Sequence, residues 1–416
     1  MPKSRGRPAG RGRAKRPQRE VRELRLSDRL LRDAASIGHE ERVLEVDRWA
    51  SGWLGQAWLA AGLGERAPEH QLCLEVVGRV SGRPSAHGLA AVAALRRVAP
   101  PDEWSLLDGT IETLSAHHPV PPWFDEPAVE PLRAWRAVDV WDSEHVLFVE
   151  YAGPVPHTLM AQIPLAGGVL VECLALLDPR AAASWEELRE PGEAPMPLVE
   201  SPVGEVLAEL ADALRTTDMT LPRQDDEDFV DLRALAWARC RSHLPGWPEH
   251  TPSGDAERDR LLDDFMARPA DGPVDDSAVR SLAELFLDYG EGYLVSGPLC
   301  WSPGSVGLFL ADWLPRKAVL DAEQRAALPE ALRRWVRFAL DRRGVPPKWI
   351  DPVVQAIDAF VPAFTEAFDD TAAWGPAKQI AVELAAGGVD LSDRDAVDDA
   401  VRAHNAGRLA RYLTEQ

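Results

Sequence analysis

The chain has 416 residues, of which 45% are hydrophobic and 27% are charged, a composition typical of globular proteins and long enough for more than one domain. Its formal net charge of −21 is unevenly distributed, because residues 1–19 carry eight lysines and arginines and no acid, and subtracting those eight charges leaves −29 on the rest. The acidic body should repel nucleic acid and anionic lipid, while four widely spaced cysteines argue against a disulfide framework or a zinc site.

The first predicted segment is a basic arm. Residues 1–26 lack hydrophobic periodicity and are rich in glycine, proline, serine and arginine, which predicts disorder. Within it, Arg5-Gly6-Arg7-Pro8 resembles an AT-hook, a short motif whose arginines lie along the narrow minor groove of A·T-rich DNA. The residues predicted to contact nucleic acid are Arg5, Gly6, Arg7, Pro8, Arg11 and Arg13. The alternative is that composition alone produces so short a motif, and that the arm makes only weak, non-specific polyanion contacts.

Residues 27–245 are predicted to form an α+β region. Apolar residues at helical spacing predict a long helix near 41–62, and further helices are expected near 203–215 and 228–242. Between them, short β-rich runs separated by proline and glycine turns predict an antiparallel meander over 137–177. Its last run, Val169–Leu177, is almost continuously apolar, which favours a central strand covered on both faces.

Two histidines in the meander, His145 and His157, lie near Glu150 and Glu172 and invite a metal or acid–base site. Strand alternation places both histidines on the apolar face and both glutamates on the opposite face, so we predict no metal site and no catalytic residue there. The chain also lacks a phosphate-binding loop, a dinucleotide-binding glycine motif and a nucleophile elbow. No cofactor is therefore predicted.

The second half of the chain is predicted to be helical. Residues 246–276, rich in proline, glycine and aspartate, are expected to form a linker, and residues 277–416 an all-α domain. Ser302-Pro303 has the pattern of a helix start, and Pro329, Pro352 and Pro376 are also expected to open helices. Ser392 is expected to cap a last one. Trp313 and Trp335 lie on apolar stripes and are expected to anchor the core of this domain.

The segment from Ser281 to the C-terminus resembles a set of uncharacterised proteins from high-GC bacteria. The residues that carry the resemblance are Leu287-Asp288-Tyr289-Gly290, Trp301-Ser302-Pro303, the run Phe309 to Lys317, Gly375-Pro376-Ala377-Lys378 and Gly388-Val389-Asp390-Leu391. The resemblance covers about a third of the chain. It implies no activity and offers no catalytic residue to carry over.

The sequence thus predicts a mainly α (α+β) fold, with a helical N-terminal region around a small antiparallel β-meander, followed by an all-α C-terminal domain. The absence of an apolar run of about 18 residues predicts no membrane span, and no apolar segment follows the basic start as in a signal peptide. We therefore expect a soluble, cytoplasmic interaction or regulatory protein without catalysis, in which the arm contacts nucleic acid weakly and the body binds an unknown protein partner. The alternative is a hydrolase-type enzyme with a carboxylate or histidine site in a cleft between the domains.

Overall fold

The structure, a computed structural model, describes residues 24–62, 67–190, 192–247, 254–269 and 276–386, together with Arg402. The predicted nucleic-acid contacts Arg5, Gly6, Arg7, Pro8, Arg11 and Arg13 lie outside the described residues. So do the helix expected from Ser392 and parts of the predicted linker, 248–253 and 270–275.

The predicted mainly α (α+β) fold is confirmed. The N-terminal helices are α1 Leu26–Asp33, α2 Val43–Ala60, α3 Pro68–Gly82, α4 Ala86–Val98, α5 Trp104–Ser115, α6 Trp185–Leu188, α7 Val203–Met219 and α8 Glu227–Cys240. Helices α2, α7 and α8 coincide with the three that the apolar spacing predicts. Helices α2 and α8 cross at Gly55, where an added Cβ would lie 1.8 Å from the carbonyl oxygen of Val230, so only glycine permits this approach.

The described residues contain one antiparallel sheet of five strands in the order β4-β3-β2-β1-β5. The strands are β1 Glu130–Val138, β2 Glu144–Ala152, β3 His157–Pro164, β4 Cys173–Leu177 and β5 Leu198–Ser201. The antiparallel meander is confirmed, and β5, which comes from a proline-rich stretch, adds a strand beside β1. The expectation of a central strand at Val169–Leu177 is wrong, because β4 lies at the edge of the sheet. The apolar residues before it pack outside the sheet, and Val171 N donates to Thr217 Oγ1 of α7 at 2.9 Å.

The two faces of the sheet pack against different partners. On one face, Leu147, Val149 and Leu159 join the large N-terminal core formed with the helices, where α7 lies on β1 and β2 and α8 on β4. On the other face, Phe148 packs with Met196 and against Trp185 of α6 in a smaller core. The sheet is therefore covered on both faces, by the N-terminal helices on one and by α6 with its neighbouring residues on the other.

A second large core is built from the C-terminal helices. These are α9 Asp255–Met266, α10 Asp276–Tyr293, α11 Pro303–Leu308, α12 Leu314–Lys317, α13 Ala322–Arg342, α14 Pro347–Asp369 and α15 Pro376–Ala386. Helix α9 lies within the predicted linker, and Leu261, Leu262 and Phe265 on it are buried in this core. Trp335 of α13 is fully buried there.

The prolines mark the helix starts less well than expected. Ser302 caps α11 in a reciprocal capping box with Ser305, and Pro376 opens α15, as predicted. Pro329 and Pro352, however, lie inside α13 and α14. Helix α13 instead begins after Asp321, whose carboxylate accepts a hydrogen bond from Gln324 N at 2.7 Å, because a complete capping box fixes a helix start more strongly than a proline does. In the described part of the chain, every helix is too short or too polar to cross a membrane.

Candidate functional site

A cleft of about 560 Å³ opens between the sheet and the C-terminal helices. Its sides are the loop 166–168 between β3 and β4, the end of α10 with the turn that follows it, and the helical segment from α11 to α12. We call it the aromatic cleft, because Tyr289, Tyr293 and Trp313 line it together with Glu291, Asp312, Arg316 and Lys317. Its size is that of a site for a small molecule.

One side of the aromatic cleft is a helix with a widened turn. Residues Phe309–Trp313 form a π-helical turn that connects α11 to α12 without a break. Pro315 follows, and since proline has no N–H, it cannot complete the regular bond to the carbonyl of Ala311, which favours the wider turn. A π-turn inserts an extra residue and is common at functional sites. Here it lies where Asp312 and Trp313 line the cleft.

The aromatic wall is a packed group of three rings. The Tyr289 and Tyr293 rings stack with centroids 5.5 Å apart, and Trp313 packs edge-on at 5.4 Å from Tyr289 and 5.8 Å from Tyr293. Tyr289 is buried and donates its hydroxyl to the Ser305 carbonyl at 3.2 Å, whereas 41% of Tyr293 is exposed. The buried Tyr289 therefore fixes the aromatic wall, whereas Tyr293 and Trp313 are accessible from the cleft.

A lysine lies against the exposed tyrosine. Lys317 Nζ donates a hydrogen bond to Tyr293 Oη and lies 4.6 Å from the centroid of the same ring. This hydrogen bond from the ammonium group lowers the pKa of Tyr293 below its ordinary value. Among the described residues, no carboxylate lies within 4.0 Å of Lys317, so its charge is not neutralised by an ion pair.

The two carboxylates of the cleft are both paired with arginine. Asp312 accepts from Arg316 Nη1 at 3.1 Å, and Glu291 Oε2 accepts from Arg258, which also donates to Asp288. The second oxygen of Glu291, Oε1, is buried without a hydrogen-bond partner in the described part of the chain. An unpaired buried acceptor costs about 1–3 kcal/mol of stability.

The sheet loop and the turn after α10 complete the cleft. An added Cβ on Gly167 would lie 3.7 Å from Leu308 Cδ1, so the loop 166–168 lies against α11. At Gly290 an added Cβ would lie 2.6 Å from Pro298 Cα, so this glycine lets the following turn fold back onto the end of α10. The cleft thus depends on segments from both halves of the chain.

The histidines that the sequence singled out do not line this cleft, and they lie far from each other. His145 and His157 lie on β2 and β3, but pairing places His145 opposite Ile163 and His157 opposite Tyr151, at the two ends of the strand pair. His145 bridges Asp142, at 2.9 Å, and Glu209 of α7, while His157 stacks on Tyr151 and bonds the Val155 carbonyl. Each histidine has a local structural partner, and among the described residues no group of His, Cys, Asp and Glu side chains is arranged to hold a metal ion.

Sequence reasoning assigned the cleft residues to the protein core. Tyr289 and Trp313 share helical stripes with buried residues, and the pattern does not separate a core wall from a cleft wall. A compositional signal was present, since lysine occurs only at positions 3, 15, 317, 348 and 378 of this arginine-rich chain. Lys317 lines the cleft, and Lys378 lies close by. Lys378 Nζ donates to the Pro315 carbonyl at 2.8 Å, and Pro315 precedes Arg316 and Lys317 in the chain. Comparisons with protein-family models, with curated proteins and with solved structures found no match to this chain.

Proposed function

We propose that this chain is a non-catalytic, cytoplasmic regulatory protein that binds a small, flat anion in the aromatic cleft and contacts nucleic acid through its basic arm. The observation that carries the proposal is Lys317, an exposed cation without a carboxylate partner among the described residues, held against the accessible ring of Tyr293. An ammonium group beside an aromatic ring provides two adjoining binding places, one for a negatively charged group of the ligand and one for a flat group of the ligand.

The remaining polar groups of the cleft define the ligand further. Arg316 lies beside Lys317, and among the described residues its guanidinium donates to the exposed Asp312 alone, so its other N–H groups can reach the same anion. The planes of Tyr293 and Trp313 are 70° apart, so one of these rings would stack on the ring of the ligand and the other would contact its edge. These groups together favour a small aromatic or heteroaromatic carboxylate, sulfonate or phosphate.

The pairing of the carboxylates supports binding rather than hydrolysis. A hydrolase-type site, the alternative, needs a carboxylate or histidine free to take up or release a proton near neutral pH. Asp312 and Glu291 each already accept a hydrogen bond from an arginine. No histidine is among the described residues that line the cleft.

The arm supplies the second part of the proposal. Residues 1–19 carry eight positive charges and no acid, whereas the rest of the chain is acidic. Such a segment attracts phosphates sequence-independently, and Arg5-Gly6-Arg7-Pro8 has the pattern of a minor-groove contact.

The cleft is tested with 1-anilinonaphthalene-8-sulfonate, a fluorescent probe with flat rings, one anionic group and one N–H donor. We expect saturable binding that Lys317→Gln weakens by about tenfold or more, the effect of losing one hydrogen bond to a charged group. The matched control is Lys348→Gln, since Lys348 Nζ also lies over an aromatic ring, 5.1 Å from the centroid of Trp349, but outside the cleft. Equal affinities of the two variants would contradict the proposal.

A further inference from the structure

A second cavity, of about 580 Å³, lies beside α1, the helix that follows the arm in the chain. It is formed by α1, the end of α3 and the turn into α4, and three arginines line it, Arg32, Arg79 and Arg83. We call it the arginine groove. It lies on a body that is otherwise strongly acidic, so its charge is an exception.

The acid that lines the groove is already neutralised. Asp28 accepts a hydrogen bond from Arg79, whose Nε also donates to Ser27 Oγ at 3.0 Å. Arg32 and Arg83 are both exposed, and among the described residues neither has a carboxylate within 4.0 Å. Two unpaired guanidinium groups therefore remain on the groove, each able to donate two parallel hydrogen bonds to a phosphate.

The floor of the groove is open to close approach. Gly78 and Gly82 lie on it, and an added Cβ at either position would meet no atom within 4 Å, so both face open space. These glycines precede Arg79 and Arg83 in the chain, and they place no side chain in the path of an anion that approaches the groove.

The groove is adjacent to the arm. Arg19 is the last of the eight arm charges and Leu24 is the first described residue, so the chain between them spans at most about 18 Å. Arg32 lies eight residues beyond Leu24, which adds about 12 Å at the helical rise of 1.5 Å per residue. The groove is therefore within about one turn of duplex, roughly 34 Å, of the end of the arm.

We propose that the arginine groove holds the phosphate backbone of the nucleic acid that the arm contacts. This inference rests on the nucleic-acid part of the proposed function. Arg32 and Arg83 would fix the duplex against the body, while the arm follows it outward. The groove then accounts for how an acidic body approaches a polyanion, because these two cations face the phosphates that the body would otherwise repel.

The test measures binding of a short fluorescein-labelled duplex by anisotropy at several salt concentrations. It compares the full chain, a form lacking residues 1–19, and Arg32→Gln/Arg83→Gln. The control is Arg260→Gln/Arg337→Gln, which removes the same charge from two exposed arginines of α9 and α13. We expect the groove variant to bind about tenfold more weakly than the control. The slope of the logarithm of its binding constant against the logarithm of the salt concentration should be smaller by about two, because each lost phosphate contact removes about 0.9.

The outcomes separate the two proposals. If deletion of residues 1–19 weakens binding and the groove variant matches its control, the arm contact stands and the groove inference is overturned. If the deletion has no effect, the nucleic-acid part of the proposed function fails. Inorganic phosphate is titrated in parallel by calorimetry, and binding of phosphate through Arg32 and Arg83 without any effect on the duplex would also overturn the inference.

Discussion

The indole N–H of Trp141 donates a hydrogen bond to the main-chain carbonyl of Trp349 at 2.9 Å, and the two rings pack edge to face with centroids 6.2 Å apart. Trp141 lies in the turn between β1 and β2, and Trp349 lies in α14, so this contact joins the sheet to the C-terminal core. Arg343 adds to it by donating to the Trp141 carbonyl at 2.7 Å.

Trp141→Phe should destabilise the protein by about 1 kcal/mol, the typical net value of one hydrogen bond, and Trp141→Ala by more. The control is Trp104→Phe, because Trp104 Nε1 also donates to a carbonyl, that of Ala99, but within one local segment. Urea unfolding should show a broader transition for Trp141→Ala, since the two cores lose a shared contact. Superimposable unfolding curves for Trp141→Ala and wild type would contradict this prediction and would show that contacts other than that of Trp141 couple the two cores.

His145 should make stability depend on pH. Burial lowers its pKa, but the hydrogen bonds and charges of Asp142 and Glu209 outweigh burial and raise the pKa to about 9, from an ordinary value of 6.5. Arg136 and Arg343 pair with the same two carboxylates from β1 and α13. The folded state therefore binds the proton more tightly, and this stabilisation is complete below pH 6.5 and is lost as the pH rises through about 9.

His145→Gln should accordingly lower the free energy of unfolding by about 2–3 kcal/mol at pH 6, and by much less at pH 10. The measurement is chemical denaturation across this range, with the exposed His39→Gln as the control. A loss that is the same at both pH values would show that His145 contributes packing rather than charge.

The sequence predicts those elements whose burial repeats with a regular period. Helix α2 was predicted from the apolar stripe Val46, Trp49, Trp53 and Ala57, of which Val46 and Ala57 are buried. The meander was predicted because turns separate short β-rich runs. The position of β4 in the sheet was not predicted, since the apolar residues before it, such as Val171, pack on α7 rather than between strands. An apolar run reports burial but not the partner that buries it.

The aromatic cleft could not be predicted for a related reason. Tyr289 and Trp313 line the aromatic cleft rather than the interior of the core because of the position of the loop 166–168. That loop is more than 100 residues away from them in the chain. The helical stripe that contains Trp313 has the same pattern as the stripe that contains the fully buried Trp335. Only the packing of the two halves of the chain distinguishes them.

Lys378 should give the opposite pH dependence to His145. Its side chain is only 2% exposed, with Nζ 3.6 Å from the centroid of the Phe368 ring. Burial, with a smaller contribution from Arg325, lowers its pKa to about 8 from an ordinary value of 10.5, although Asp369 opposes the shift. Between these two pH values the unfolded chain binds more protons, so stability should rise with pH. Lys378→Met should flatten this rise in thermal denaturation, and an unchanged pH profile would contradict the assignment.

Trp313 and Trp335 should differ in what their loss affects. Trp335 is fully buried and packs on Phe265 at 5.2 Å, so Trp335→Ala should cost about 3–5 kcal/mol of stability. Trp313 is half-buried at the cleft, so Trp313→Ala should cost less and should instead weaken binding of 1-anilinonaphthalene-8-sulfonate. Denaturation and probe titration on the same two variants check this. Equal stability losses with unchanged probe affinity would make Trp313 a core residue, as the sequence alone predicts.

The arm should bind duplex DNA weakly, with micromolar or weaker affinity at physiological salt, because the acidic body opposes its eight positive charges. Arg5→Ala/Arg7→Ala and Arg16→Ala/Arg19→Ala each remove two of these charges, one pair from the AT-hook-like motif and one pair from outside it. Both variants should lose similar affinity for a G·C-rich duplex, since that contact depends on charge alone. Only the first should lose a preference for an A·T-rich duplex, because the arginines beside Gly6 are the ones that fit the narrow groove. If the two variants behave alike on both duplexes, the arm is a general polyanion contact without groove recognition.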